Sequence, residues 1–230
     1  MTDDRKEIVE VLLANRLYIY SLLHKVFGRD PNEELLELLT SETSGGAFAL
    51  LSSEEDDLMA KAGSFFSKVR TEMAEPEYLD KVKTEYMRLF VGPIKFVAPP
   101  WESVYRGKEG MLFQPSTLTV RGIYRRYGMI PEGYPHVADD SLALEMAFMA
   151  ELANRAVKAL ADGDDAALKE NLSGSYDFLK VHLLYWIPKF IDRLKDAPSN
   201  HLYPQMCLIL DAFLKQDFEV VGEILSLINE

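Results

Sequence analysis

The sequence predicts an all-α fold. Apolar residues recur at helical spacing through most of the 230-residue chain. Prolines and glycines gather in a few stretches between those runs, and no segment alternates apolar and polar residues as a half-buried strand would. The densest signal lies in GMIPEGYPHVADDSLALEMAFMAEL, from Gly128 to Leu152. Its first half is broken by Gly128, Pro131, Gly133 and Pro135, because proline lacks an amide donor and glycine tolerates any backbone angle. Its second half, from Leu142, is apolar on nearly every side, with Glu145 and Glu151 as its charges. Such a helix belongs in a core. No run of about 18 apolar residues suggests a membrane span.

The remaining elements follow in order. Asp4 and Glu7 form a capping box for a first helix whose expected face is Ile8, Val11, Leu12, Ile19, Leu22, Leu23 and Val26. Asp30-Pro31 is expected to start a short second helix, with Glu33 completing another box. Thr40–Ser53, with Gly45-Gly46, is read as a mobile loop. Leu58 to Met73 and Tyr78 to Phe90 give two more helices, parted at Glu75-Pro76. An irregular aromatic stretch follows, holding Phe96, Trp101, Tyr105 and Phe113, which must plug a core or line a groove. Ser116 opens a helix that ends at Gly128. Asp139 or Asp140 is the expected cap of the apolar helix. Beyond the acidic turn at Gly163 a helix runs through Phe178, Trp186 and Leu194, kinked or ended near Pro188. Two last helices are expected over roughly His201–Lys215 and Phe218–Ile228. That makes about nine or ten helices. They form one globule in two halves, 1–127 and 139–230, joined by a hinge at 128–138.

Composition restricts function. Lysine and arginine number 25 against 37 acids, a net charge of -12. That argues against nucleic acid, whose phosphates need a basic face, and favours basic partners. A single cysteine, Cys207, excludes an internal disulfide and a cysteine zinc cage. The first residues show no basic-then-apolar secretory pattern, so a cytoplasmic protein is expected. There is no phosphate loop, no GxSxG elbow and no paired histidine motif. No catalytic residue, metal or cofactor is therefore expected. One enzymatic alternative is a metal- or nucleotide-dependent hydrolase built on His136, Asp139 and Asp140. Glu145 has two readings: a buried ion pair with Arg121 or Arg125, or a carboxylate facing a groove with Asp139 and Asp140.

Four stretches in order resemble the TorD/DmsD/NarJ family of chaperones for molybdenum-containing redox enzymes. They are EYMRLFVGP leading to APPWESVY, then LFQPSTLTV to YRRYGM, then ADDSLALEMAFMAEL, and FLKVHLLYWIPKFIDRL followed by Tyr203 and FLKQD. The third resembles the family's E-P-x-D-H hinge and following helix, but reads Asp140-Ser141 where the family has Asp-His. Any role of that histidine is therefore not carried over. The resemblance implies an all-helical, non-enzymatic chaperone. It would bind the twin-arginine leader and catalytic subunit of a molybdopterin oxidoreductase, and could form a domain-swapped homodimer. The leader site is then expected on Trp101, Glu102, Ser103, Tyr105, Phe113, Asp139, Asp140, Ser141 and Glu145.

Overall fold

A computed structural model describes residues 3–51, 57–92, 97–107, 115–131, 138–195, 197 and 199–229. Phe96, Phe113, His136 and positions 132–137 of the hinge lie outside the described residues. The helices are α1 (Asp3–Gly28), α2 (Glu33–Leu39), α3 (Glu42–Ala49), α4 (Asp57–Glu72), α5 (Tyr78–Tyr86), α6 (Glu102–Arg106), α7 (Pro115–Arg126), α8 (Leu142–Asp162), α9 (Asp165–Phe178), α10 (Leu184–Leu194) and α11 (Tyr203–Asn229). A π-helical turn, Leu179–Leu183, joins α9 to α10 in one continuous rod, so ten rods result. A second π-helical turn, Met87–Val91, extends α5. No strand occurs among the described residues, and the fold is all-α as expected.

α8 is the centre. It packs against α1 on one side and α9 on another. Leu142, Met146, Phe148, Met149, Leu152, Ala153 and Ala156 are all fully buried. His24 Nδ1–H donates to the carbonyl of Ala143 at 2.8 Å, pinning α1 to the start of α8. Against α9 the chain comes closer still. A Cβ at Gly174 would lie 2.1 Å from the Tyr127 hydroxyl, so only glycine lets that ring in. Gly128, with φ of 66°, ends α7 in the left-handed region that favours glycine.

Several sequence expectations need correction. The buried face of α1 begins with Val9 and Leu13, while Ile8 and Val11 are exposed. The face was misread because it carries Arg16, which is fully buried and bonded to Asp217 of α11 at 2.5 Å. Tyr20 donates to the same carboxylate at 2.6 Å. Asp217 is an internal ion-pair partner, and α11 runs unbroken for 27 residues in place of the two expected helices. Residues 42–49 form α3 in place of a loop, because Ser41 caps it by accepting from Ser44 N–H. α2 is capped by Asn32, whose Oδ1 accepts from Leu35 N–H, and not by Asp30. Near Pro188 the irregularity is the π-helical turn before it, while the proline itself sits inside α10.

Candidate functional site

Four carboxylates from three places in the sequence meet where the 98–107 segment crosses the start of α8. Asp139, Asp140, Glu102 and Glu145 are each fully buried. The crossing is a short backbone zipper. Glu102 N–H donates to the Asp140 carbonyl and Leu142 N–H to the Pro100 carbonyl, both at 2.9 Å. Trp101 and Ser141 form an isolated antiparallel bridge between them.

Each acid has a distinct partner. Ser141 Oγ, not either aspartate, caps α8 by accepting from Leu144 N–H. Asp140 caps another helix instead: its Oδ2 accepts from Ser103 N–H, in the first turn of α6, at 2.7 Å. Asp139 pairs with Arg121 of α7 at 2.7 Å, and its carbonyl accepts from the Tyr124 hydroxyl. Glu102 accepts from Arg106 and, at 2.9 Å, from Nδ1 of His182 in the π-helical turn. The expected pairing of Glu145 with Arg121 or Arg125 does not form. Its Oε2 accepts from the Trp186 indole N–H at 2.9 Å.

The surroundings of Glu145 favour its protonated form. Burial first, then the adjacent charge of Glu102, push its carboxyl well above the usual range. The same acids, after burial itself, raise the Tyr124 phenol well above its ordinary value.

Trp101 is half-buried and packs on the core, while Tyr105 is buried and stacks on Trp186 with centroids 5.5 Å apart. Ser103 is buried, and its Oγ, like Oδ1 of Asp139 and of Asp140, meets no partner among the described residues. The structure thus gathers eight of the nine expected site residues in one cluster; Phe113 lies outside the described residues. The acids are internal and paired, and do not form an open acidic groove. Sequence reasoning missed Arg106 and His182. The spacing of Glu102 and Arg106, one turn apart on one face, was a signal for the first. Nothing local flagged His182. It also missed Glu85, whose carboxylate accepts from the amides of His201, Leu202 and Tyr203 at 2.8, 2.7 and 2.8 Å and so caps α11 from a distant helix.

The hydrolase alternative loses its two aspartates to Arg121 and to Ser103 N–H, and His136 lies outside the described residues. No group of three metal-binding side chains is assembled among the described residues.

A family model described as nitrate reductase delta subunit matches residues 55–192, more than half the chain and all of this cluster. The chain belongs to the nitrate reductase delta subunit family. Curated relatives are named chaperone protein TorD. That of Vibrio cholerae serotype O1 (strain ATCC 39315 / El Tor Inaba N16961) is 28% identical over 144 residues, covering 63% of this chain and 64% of the relative's length. That of Shewanella sp. (strain MR-4) is 26% identical over 208 residues, covering 88% and 91%. A solved structure from Archaeoglobus fulgidus, described as a redox enzyme maturation protein, is 18% identical, covers 89% of this chain and 93% of its own, and has a TM-score of 0.46. The chain has no helix, among the described residues, long and apolar enough to cross a membrane.

Proposed function

We propose that this protein is a cytoplasmic maturation chaperone. It binds the twin-arginine leader of a molybdopterin-containing oxidoreductase subunit and assists its folding and cofactor insertion before export or assembly. Family membership and the TorD names of its relatives support the chaperone class. The observation that carries the leader reading is that the buried acids already hold guanidinium groups. Arg121 sits on Asp139 and Arg106 on Glu102, each arginine coming from a helix that flanks the cluster. A leader offers two arginines of the same chemistry. Asp139 Oδ1, Asp140 Oδ1 and Ser103 Oγ keep acceptor capacity unused by the described residues.

In this reading the leader exchanges its arginines for Arg106 and Arg121 as the 98–107 segment lifts from the start of α8. The backbone bonds holding that segment, Glu102 to Asp140 and Leu142 to Pro100, are few. Each contributes on the order of 1 kcal/mol net, within reach of a peptide's binding energy. Apolar leader side chains supply roughly 1.5–3 kcal/mol each on burial. The charges then set orientation and association rate. A homodimer with exchanged halves belongs to the same reading, and sedimentation of the purified protein tests it.

The deciding experiment is calorimetric titration with a synthetic twin-arginine leader and its twin-lysine counterpart. Arginine's planar fork fits a carboxylate in two places and lysine's does not. The arginine peptide should bind at least roughly tenfold tighter, about 1.4 kcal/mol. No heat with the arginine peptide, or equal affinities, would sink the proposal.

A further inference from the structure

Along the outer face of α10, opposite the buried acids, the charge pattern of the chain reverses. The protein carries a net charge of -12. Yet Lys180, Lys189 and Arg193 all point outward from the π-helical turn and α10, and Arg106 joins them from α6. Two apolar side chains lie among them, Val181 at 52% and Tyr185 at 44% exposed. The cations are held in place by rings. The Arg106 guanidinium lies 4.2 Å from the Tyr185 ring centre, Lys189 Nζ 3.6 Å from the same ring, and the Arg193 guanidinium 4.7 Å from Tyr105. Glu102 is paired inward with Arg106 and His182, and Asp192 with Lys195, so Lys180, Lys189 and Arg193 are the cations that give the face its charge.

A cation seated on an aromatic face has given up part of its freedom before any ligand arrives, so it binds an anion at lower entropic cost than a loose surface lysine. Two helices build the patch, and the cation–ring contacts fix α6 against α10. The hydrogen bond and charge of Lys189, and then the charge of Arg106, lower the pKa of the exposed Tyr185 phenol from its ordinary value.

We propose that the Arg106–Tyr185–Lys189–Arg193 face is a second docking surface, and that it takes an acidic peptide segment. It adjoins the leader cluster through Arg106 and Tyr105, but it rests on its own observations, and its test changes neither residue. Charge complementarity selects the partner, because the chain as a whole is negative while this face presents cations. A membrane surface fits less well. Val181 and Tyr185 are too few to anchor in lipid, Tyr185 is covered by cations, and the chain's overall negative charge opposes an anionic bilayer.

The probe is a fluorescein-labelled glutamate-rich peptide, followed by anisotropy at low and at roughly 0.15 M salt. The wild type should bind it in a salt-sensitive manner. Lys189→Glu/Arg193→Glu should weaken binding by roughly tenfold or more. Lys158→Glu, an exposed control on α8, should leave it unchanged. These side chains are exposed, and circular dichroism confirms that each variant is folded. Absent binding, or equal loss in the Lys158 control, would overturn the proposal. So would a loss confined to phosphatidylglycerol vesicles, which would assign the face to a membrane. A salt-sensitive dimer abolished by the same double change would overturn it in favour of a second copy of the chain.

Discussion

The indole N–H of Trp186 donates to Oε2 of Glu145 at 2.9 Å, with both side chains fully buried. The sequence placed Trp186 in the core, and it is there, stacked on Tyr105 and edge-on to Phe190. Trp186→Ala removes the ring and leaves a carboxyl oxygen without its donor. It should cost about 3–5 kcal/mol in urea unfolding. An unchanged midpoint with lost peptide binding would instead mark Trp186 as a ligand contact.

Glu145 makes stability depend on pH. Its carboxyl is raised well above the value of 4.5 that it approaches when unfolded. The folded chain therefore holds the proton more tightly than the unfolded chain. That contribution is fully present below about 4.5 and is lost as pH rises through the folded value. Glu145→Gln keeps an acceptor for Trp186 but has no proton to lose. The variant should gain stability relative to wild type as pH increases across that window. A difference that stays flat with pH would show that Glu145 is not a neutral acid.

Arg16 and Asp217 form a wholly buried pair, 201 positions apart, that ties α1 to α11. Asp217→Ala strands a buried guanidinium and should cost about 3–5 kcal/mol. Arg16→Met/Asp217→Leu should recover most of that loss. Denaturant melts of the two single variants and the double variant give the coupling. Additive effects would contradict a shared buried pair.

Asp140 tests the leader site without breaking the fold. Asparagine keeps an oxygen for Ser103 N–H, so the α6 cap survives and the melting temperature should stay near wild type. The charge is gone, so leader binding should weaken and lose part of its salt dependence. Titration at two salt concentrations reads both. Unchanged affinity at each would leave Asp140 a cap and nothing more.

The division into halves at 128–138 is also testable. Its motive is the density of glycine and proline between Gly128 and Ala138. Limited proteolysis should cut there before it cuts anywhere in α8. First cuts within Leu142–Leu160 would remove the division. The corrected reading of 42–49 as helix α3 takes that segment off the list of early cut sites.

The sequence by itself determined the helical class, the central place of α8, the end of α7 at Gly128 and the core role of Trp186. These rest on signals within a few residues: periodicity, prolines, glycines and local caps. It also marked Asp139, Asp140 and Glu145 as unusual, because carboxylates beside so much apolar surface need a reason, while Glu102 entered only through the family resemblance. Only the tertiary structure decided what each one does. Asp140 caps α6 and Glu85 caps α11 across the fold, and no spacing along the chain encodes an acceptor supplied from another helix. Arg16 is buried because Asp217 waits for it, so a helix face read from α1 alone turns the wrong way. A charge's place inside or outside depends on its partner's position, and that position exists once the chain has folded.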